Sequence, residues 1–183
     1  MAAISHPSFK MYDRGTLAHV LRERQAAGEV VVLTNGCFDL LHLGHARYLQ
    51  GARALGDCLV VGVNSDASAR HLKGAGRPLM PQDERAEVLA ALACVDYVTI
   101  FEEPTAVALV EALRPNIYVK GGDYAASGAA GQSAAVDYAR LPEAAPVLAY
   151  GGQVRLIPYL PDHSTTALIE RILQRCGGAA KDE

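Results

Sequence analysis

Short apolar runs rich in valine and isoleucine alternate along the chain with longer segments whose apolar residues recur at helical spacing. The apolar runs occupy residues 30–33, 58–63, 95–100, 117–119 and 154–157. Unbroken runs of this length are typical of strands that are covered on both faces, as the strands of a parallel sheet are. The pattern therefore predicts a sheet of five parallel strands.

The segments between these runs carry the spacing and the end signals of helices. We predict helices at residues 17–27, 45–55, 81–92, 105–113, 141–150 and 164–175. Gly28 and Gly56 follow two of these segments and favour helix ends there. A repeated strand-then-helix order is typical of a doubly wound α/β fold. We therefore predict a Rossmann-like parallel five-stranded sheet with helices on both faces. Residues 1–183 would form one domain, with residues 1–28 as an N-terminal extension and helix.

Length and composition narrow the class of protein. The chain has 183 residues, of which 50% are hydrophobic and 20% charged, as is ordinary for one globular domain. A formal net charge of -3 and a pI of about 6.1 argue against nucleic-acid binding. No apolar run is long enough to span a membrane, and the first residues have no apolar signal core. Because the four cysteines form no C-x-x-C pair, we expect reduced thiols and a cytoplasmic protein.

The loop after the first predicted strand holds the strongest chemical signal. In doubly wound sheets, ligands bind beyond the carboxyl ends of the strands. There the sequence runs TNGCFDLLHLGH, and its last four residues open a helix. A helix start offers unpaired N–H groups and a partial positive charge, so His42 and His45 can face one anion, while Gly44 permits its close approach. Two histidines can also be mere polar residues at a helix start, but their place after a buried strand and an Asn-Gly turn favours a phosphate site.

These residues and six later blocks carry a resemblance to a known family. The first block resembles the signature of the His-x-Gly-His nucleotidyltransferase superfamily. The later blocks are VGVNSD, LKGAGRPLMPQDER, VKGGDY, LPEA, YGGQVRLIP and STT, in that order. Together the blocks are similar to the adenylyltransferases that make ADP-heptose from heptose 1-phosphate, and the resemblance covers residues 17–173. In many relatives this module is fused behind a sugar kinase, whereas here we expect a stand-alone form.

The resemblance implies a reaction and a set of site residues. AMP would pass from ATP, which enters with Mg²⁺, to a heptose 1-phosphate, and pyrophosphate would leave. The implied catalytic residues are His42, His45 and Lys73. The implied nucleotide-binding residues are Thr34, Asn35, Gly36, Cys37, Phe38, His42, Gly44, His45, Arg85, Lys120, Gly121, Gly122, Asp123, Ser164 and Thr165. The implied sugar-phosphate-binding residues are Asp39, Asp66, Lys73 and Arg77. We expect no protein ligand to a metal. We also expect the protein to form a homodimer.

Several of these residues also have simpler explanations. Asp39 can be a turn residue that bonds its own backbone, and Asp66 can cap a short helix. Lys73, expected on a loop that swings over the phosphates, can be a solvated charge, and Arg77 can serve only to hold that loop. Ser164 can be the N-cap of the last helix, which is compatible with a place in the nucleotide site.

Two departures from related sequences bear on the substrate. Cytidylyltransferases for glycerol 3-phosphate carry Arg-Thr-x-Gly-Ile-Ser-Thr-Thr before the last helix, and this chain lacks that arginine. The chain also has an insertion at residues 125–140, beside the expected base and sugar pockets. This insertion can be a lid, a dimer contact or an inert excursion.

Three functions stay open on these grounds. The first is the heptose-phosphate adenylyltransferase. The second is a cytidylyltransferase that acts on glycerol 3-phosphate or another small phosphorylated alcohol. The third, of a different class, is a non-catalytic nucleotide-binding regulator. A Rossmann dehydrogenase and a P-loop NTPase are excluded, because neither G-x-G-x-x-G after the first strand nor G-x-x-x-x-G-K-[ST] is present.

Overall fold

The sheet has five parallel strands, as the apolar runs predict. The structure is a computed structural model that describes residues 6–121, 137–158, 160 and 163–176. Its strands are β1 (Val31–Gly36), β2 (Cys58–Asn64), β3 (Tyr97–Phe101), β4 (Ile117–Gly121) and β5 (Gln153–Ile157). Their order across the sheet is β3-β2-β1-β4-β5, and each neighbouring pair is parallel. The predicted strand count, direction and approximate positions are confirmed.

The helices agree with the predicted segments, with shifts at their ends. They are α1 (Arg14–Ala26), α2 (Leu43–Arg53), α3 (Asp66–Lys73), α4 (Gln82–Ala90), α5 (Val107–Leu113), α6 (Ala144–Ala149) and α7 (Thr165–Cys176). The first helix begins earlier than predicted because the Asp13 side chain accepts a hydrogen bond from Thr16 N and caps it. Helix α3 is the short helix expected after Asp66, although the chain segments predicted from apolar spacing did not include it. Among the described residues no helix has the length and apolarity to cross a membrane.

Two apolar clusters cover the two faces of the sheet. Because side chains alternate along a strand, Val31 and Leu33 of β1 point to one face and Val32 points to the other. The first cluster includes buried residues of α1, α5 and α6, and the second includes buried residues of α2 and α4. Helices therefore lie on both faces, which confirms the doubly wound α/β prediction.

The segment before α1 is attached to the sheet through the edge strand β3. Tyr12 N donates a hydrogen bond to Val98 O at 3.0 Å. The Lys10 ammonium donates to the carbonyl oxygens of Leu92 and Val95, at 3.1 and 2.7 Å. The described part of the N-terminal extension thus packs along the sheet edge, and α1 contributes Leu17 and Leu21 to the core.

The strand order reverses between β1 and β4, and this is where a ligand crevice is expected in such sheets. A buried tyrosine joins the two strands directly under that point. The Tyr48 hydroxyl lies 2.7 Å from Thr34 Oγ1 and donates to Val119 O at 3.1 Å. Nearby, the Tyr118 hydroxyl donates to Asn35 Oδ1. These bonds fix the relative height of the carboxyl ends of β1 and β4.

Candidate active site

The N-terminus of α2 lies at this switch point and presents the two histidines of the His-x-Gly-His motif. After β1 the backbone turns sharply at Phe38, whose φ of 47° lies in the left-handed region. His42 is the N-cap of α2, with φ -140° and ψ 173°, but its side chain makes no capping hydrogen bond. The ring therefore makes no hydrogen bond to the backbone at the start of its own helix.

The two imidazoles stack on each other. The ring centroids of His42 and His45 are 3.9 Å apart with an interplanar angle of 27°. The Phe38 ring packs edge-on against His45 at a centroid distance of 5.3 Å. Within the described part of the chain, Nδ1 of each histidine is buried and has no hydrogen-bond partner. Imidazole N–H groups are donors of the kind that bind phosphate oxygens, so the stacked pair at a helix start is suited to an anionic ligand.

Both imidazoles are neutral at pH 7. Burial lowers the pKa of His45 to about 4, and the neighbouring His42 adds to this, while a hydrogen bond involving the Leu40 backbone opposes it. Burial also lowers the pKa of His42, and His163 lowers it further. A bound polyanion favours the protonated form of both rings, because opposite charge at short range raises the pKa of a histidine.

Gly44 makes the close approach of these rings possible. A Cβ at this position would lie 2.9 Å from Nδ1 and Cε1 of His42 and 3.1 Å from Cβ of His163. The sequence predicts that Gly44 lets a ligand come close to the backbone. The structure shows that Gly44 also leaves room for the His42 and His163 side chains. His163 is not among the residues that the sequence predicts for this site. Its position directly before the Ser-Thr-Thr block is the only sequence signal for it.

Asp39 holds the loop that follows α3. Its carboxylate accepts hydrogen bonds from Arg77 Nε at 2.6 Å, Leu79 N at 2.8 Å and Met80 N at 2.9 Å. Burial opposes its charge, but these bonds outweigh burial and keep the pKa of the Asp39 carboxyl below its ordinary value. These partners lie about 40 residues away, so the interpretation of Asp39 as a local turn residue is wrong. A contact between Asp39 and the sugar phosphate stays a prediction. Arg77 holds its loop, as the simpler interpretation states.

Arg85 joins three segments around the site from inside the protein. Its guanidinium donates to the carbonyl oxygens of Met80, Cys37 and Asn64 and to Asp66 Oδ1. Because the Arg85 side chain has no exposed surface, a direct phosphate contact is not compatible with this arrangement. We correct its role to that of a positioning residue.

Asp66 lies at the start of α3, with its side chain 35% exposed beside Arg85. It does not cap the helix, since the Ser65 hydroxyl accepts the capping hydrogen bond from Ser68 N at 3.2 Å. A contact between Asp66 and the sugar phosphate stays a prediction.

Two lysines lie near the carboxyl ends of the strands. Lys73 is the last residue of α3 and is exposed, so it sits on a helix end and not on the expected loop. The Lys120 ammonium lies 5.9 Å from the centre of the Tyr118 ring. Burial lowers the pKa of Lys120, the Glu143 carboxylate counteracts this, and Lys73 lowers it further.

The remaining predicted residues divide into four groups. Thr34 is fully buried with its hydroxyl bonded to Tyr48, so its side chain belongs to the core beneath the site. Ser164 Oγ accepts a hydrogen bond from Ala167 N at 3.1 Å, which confirms the N-cap interpretation, and Thr165 opens α7. The residues at the end of β1 and β4 that reach the site edge are Asn35, Gly36, Cys37 and Gly121. Gly122, Asp123 and most of the insertion at 125–140 lie outside the described residues.

The parallel sheet and the paired imidazoles at a helix start beside its switch point are the features of an α/β protein of the nucleotidyltransferase class. A family model described as cytidylyltransferase-like matches residues 33–171. The chain belongs to the cytidylyltransferase-like family.

The chain is also similar to two curated relatives and to one solved structure. It is 49% identical over 166 residues to the bifunctional protein HldE of Trichlorobacter lovleyi, and 51% identical over 166 residues to that of Syntrophotalea carbinolica. In both cases the match covers 91% of this chain and 31% of the relative, so the chain spans about a third of these relatives. The lipopolysaccharide core biosynthesis protein from Thermoplasma volcanium is similar with a TM-score of 0.55 and 28% identity, over 73% of this chain and 98% of that one.

Proposed function

We propose that the protein transfers AMP from ATP to a heptose 1-phosphate, giving ADP-heptose and pyrophosphate. The observation that carries this proposal is the stacked pair of imidazoles at the N-terminus of α2, at the switch point of the sheet. Family membership and the similarity to bifunctional HldE proteins and to a lipopolysaccharide core biosynthesis protein support the sugar-phosphate acceptor. The partial coverage of those relatives agrees with the expectation that their module is fused to a second one.

The proposed reaction needs no covalent intermediate with the protein. A phosphate oxygen of the sugar 1-phosphate attacks the α-phosphorus of ATP in line. The bond from that phosphorus to the bridging oxygen breaks, and pyrophosphate leaves with its electron pair. His42 and His45 donate hydrogen bonds to the phosphate oxygens as negative charge builds up, and the N-terminus of α2 adds its partial positive charge. Lys73 and Lys120 add further positive charge at the edge of the site.

Magnesium enters this proposal as part of the substrate. Among the residues that the structure describes, no three His, Cys, Asp or Glu side chains are placed to hold a metal ion. Asp39 and Asp66, the carboxylates nearest the site, are engaged by Arg77 and Arg85. Oxygen ligands from ATP phosphates and water are those that Mg²⁺ prefers, so we propose that the ion arrives bound to ATP.

Pyrophosphate release tests the proposal. Purified protein receives ATP, CTP, GTP or UTP, each with D-glycero-D-manno-heptose 1-phosphate in either anomer or with glycerol 3-phosphate. We expect release with ATP and one heptose anomer. Release only with CTP and glycerol 3-phosphate would establish the cytidylyltransferase alternative. Nucleotide binding without release for every acceptor would favour the regulator.

The His45→Ala variant links the activity to this site. Because it removes one donor to the transition state, we expect turnover to fall by on the order of 10²-fold or more. His19→Ala is the matched control, because His19 is an exposed residue of α1 that lies beside Glu23 of the same helix. Unchanged turnover in a folded His45→Ala protein would rule out the assigned site.

We also propose a cytoplasmic homodimer that binds no nucleic acid. The acidic net charge supports the last point, and the resemblance supports the dimer. Light scattering coupled to size exclusion measures the mass in solution. A mass of one chain at working concentration would contradict the dimer.

A further inference from the structure

A third histidine, His163, lies beside the His-x-Gly-His motif although it comes from a different part of the chain. His163 directly precedes Ser164, the residue whose hydroxyl caps the start of α7. A Cβ built on Gly44 would lie 3.1 Å from the His163 Cβ and 2.9 Å from the His42 ring. The start of α7 is thereby brought against the start of α2. The two segments are far apart in sequence, so only the fold creates this juxtaposition.

His163 is close enough to influence the charge of His42. Burial is the main cause that lowers the pKa of His42, and the positive charge that His163 can carry is the next. His42 in turn lowers the pKa of His45. Three imidazoles that repel one another when charged form a poor arrangement for the empty protein and a good one for a multiply charged anion. His163 is exposed, so such an anion can reach its ring.

We propose that His163 is a phosphate-binding residue, which contacts the same polyphosphate group as His42 and His45. Which nucleotide carries the polyphosphate rests on the proposed function. The inference itself assigns only the ligand class, a linear polyphosphate. Binding of the polyphosphate by His163 joins the starts of α2 and α7.

The competing explanation is that His163 only packs against Gly44. The two roles differ in what they do to ligands of different charge. A packing role supports the whole site, so its loss weakens every ligand alike. Loss of a phosphate contact weakens only ligands that carry β- and γ-phosphates. Replacing His163 by another positively charged residue keeps that contact.

Isothermal titration of inorganic tripolyphosphate, ATP and AMP separates the two roles. His163→Ala and His163→Asn are compared with the wild type and with the His19→Ala control, and thermal midpoints confirm folding. We expect the Kd for tripolyphosphate and ATP to rise roughly tenfold in both variants, as for one lost charge-assisted hydrogen bond. The Kd for AMP should change by less than about twofold, and His163→Arg should recover most of the tripolyphosphate affinity.

Three results would overturn the inference. One is a Kd for tripolyphosphate that is the same in the wild type and in His163→Ala. Another is an equal loss for AMP and ATP, which indicates packing. The third is a wild-type protein that binds no tripolyphosphate. Failure of the proposed function is distinguished by the pyrophosphate assay, because absence of turnover with all acceptors leaves the comparison of tripolyphosphate affinities intact.

Discussion

Gly44 lies where two side chains leave no room for a third. In most helices an alanine is favoured over a glycine by up to about 1 kcal/mol. At this position a Cβ would instead meet the His42 ring at 2.9 Å and the His163 Cβ at 3.1 Å. The preference of the helix is therefore overruled by the geometry of the phosphate site.

Gly44→Ala should displace the His42 ring and weaken ATP binding by an order of magnitude or more, since a positioned donor is lost. Gly51→Ala in the same helix is the matched control, because its Cβ would meet Ile157 Cδ1 at an ordinary 3.4 Å. Titration of ATP and urea unfolding of both variants provide the measurement. Equal ATP affinity in the two variants would contradict the steric explanation.

The shifted pKa of His45 also predicts how stability depends on pH. An ordinary histidine titrates near 6.5, whereas burial lowers the pKa of His45 to about 4 in the folded protein. Between these values the unfolded chain binds more protons than the folded one, so acidification favours unfolding.

Between pH 7.5 and pH 5, wild-type protein should therefore lose about 2 kcal/mol of unfolding free energy more than His45→Gln does. Urea unfolding at the two pH values measures this, with His19→Gln as the control that should lose as much as the wild type. If the pH dependence of His45→Gln equals that of the wild type, His45 is not a buried neutral imidazole.

At the scale of elements, the loops around the site are held by buried charges that reach far along the chain. Arg85 of α4 bonds the carbonyl oxygens of Cys37 and Asn64, after β1 and at the end of β2. Asp39 bonds the backbone of Leu79, which is 40 positions away. The apolar periodicity that predicts α2 and α4 contains no information on these contacts, because they join polar residues of separate segments. This is why the sequence alone did not predict the partners of Asp39 and Arg85.

Arg85→Ala should lower the free energy of unfolding by about 3 kcal/mol or more, since it leaves Asp66 and several buried carbonyl oxygens without their donor. Arg22→Ala, an exposed arginine of α1, is the control and should change it by less than about 0.5 kcal/mol. Urea unfolding measures both. A loss below about 1 kcal/mol for Arg85→Ala would contradict its role as the centre of this network.

At the scale of the whole molecule, the site is made from elements on both sides of the switch point. Helix α2 follows β1, Lys120 comes from β4, and His163 comes from the segment before α7. A ligand that contacts all of them stabilises the folded chain as a unit, because it binds only where they are assembled.

ATP with Mg²⁺ at about a hundred times its Kd should therefore stabilise the protein by about 2.7 kcal/mol and raise its thermal midpoint by several degrees. AMP at the same concentration should give a smaller rise, since it lacks the phosphates that the imidazoles are proposed to bind. Differential scanning fluorimetry measures the shifts. A larger rise with CTP than with ATP would favour the cytidylyltransferase alternative.

The sequence by itself determined the parallel sheet, its approximate strands, most helices and the His-x-Gly-His motif. It could do so because hydrophobic periodicity and helix-end signals act over a few neighbouring residues. The tertiary structure decided which polar residues meet: Arg85 with Asp66, Asp39 with Arg77, and His163 with His42. Those partners are far apart in sequence, and only the packing of the sheet and its helices brings them within the range of hydrogen bonds and charges.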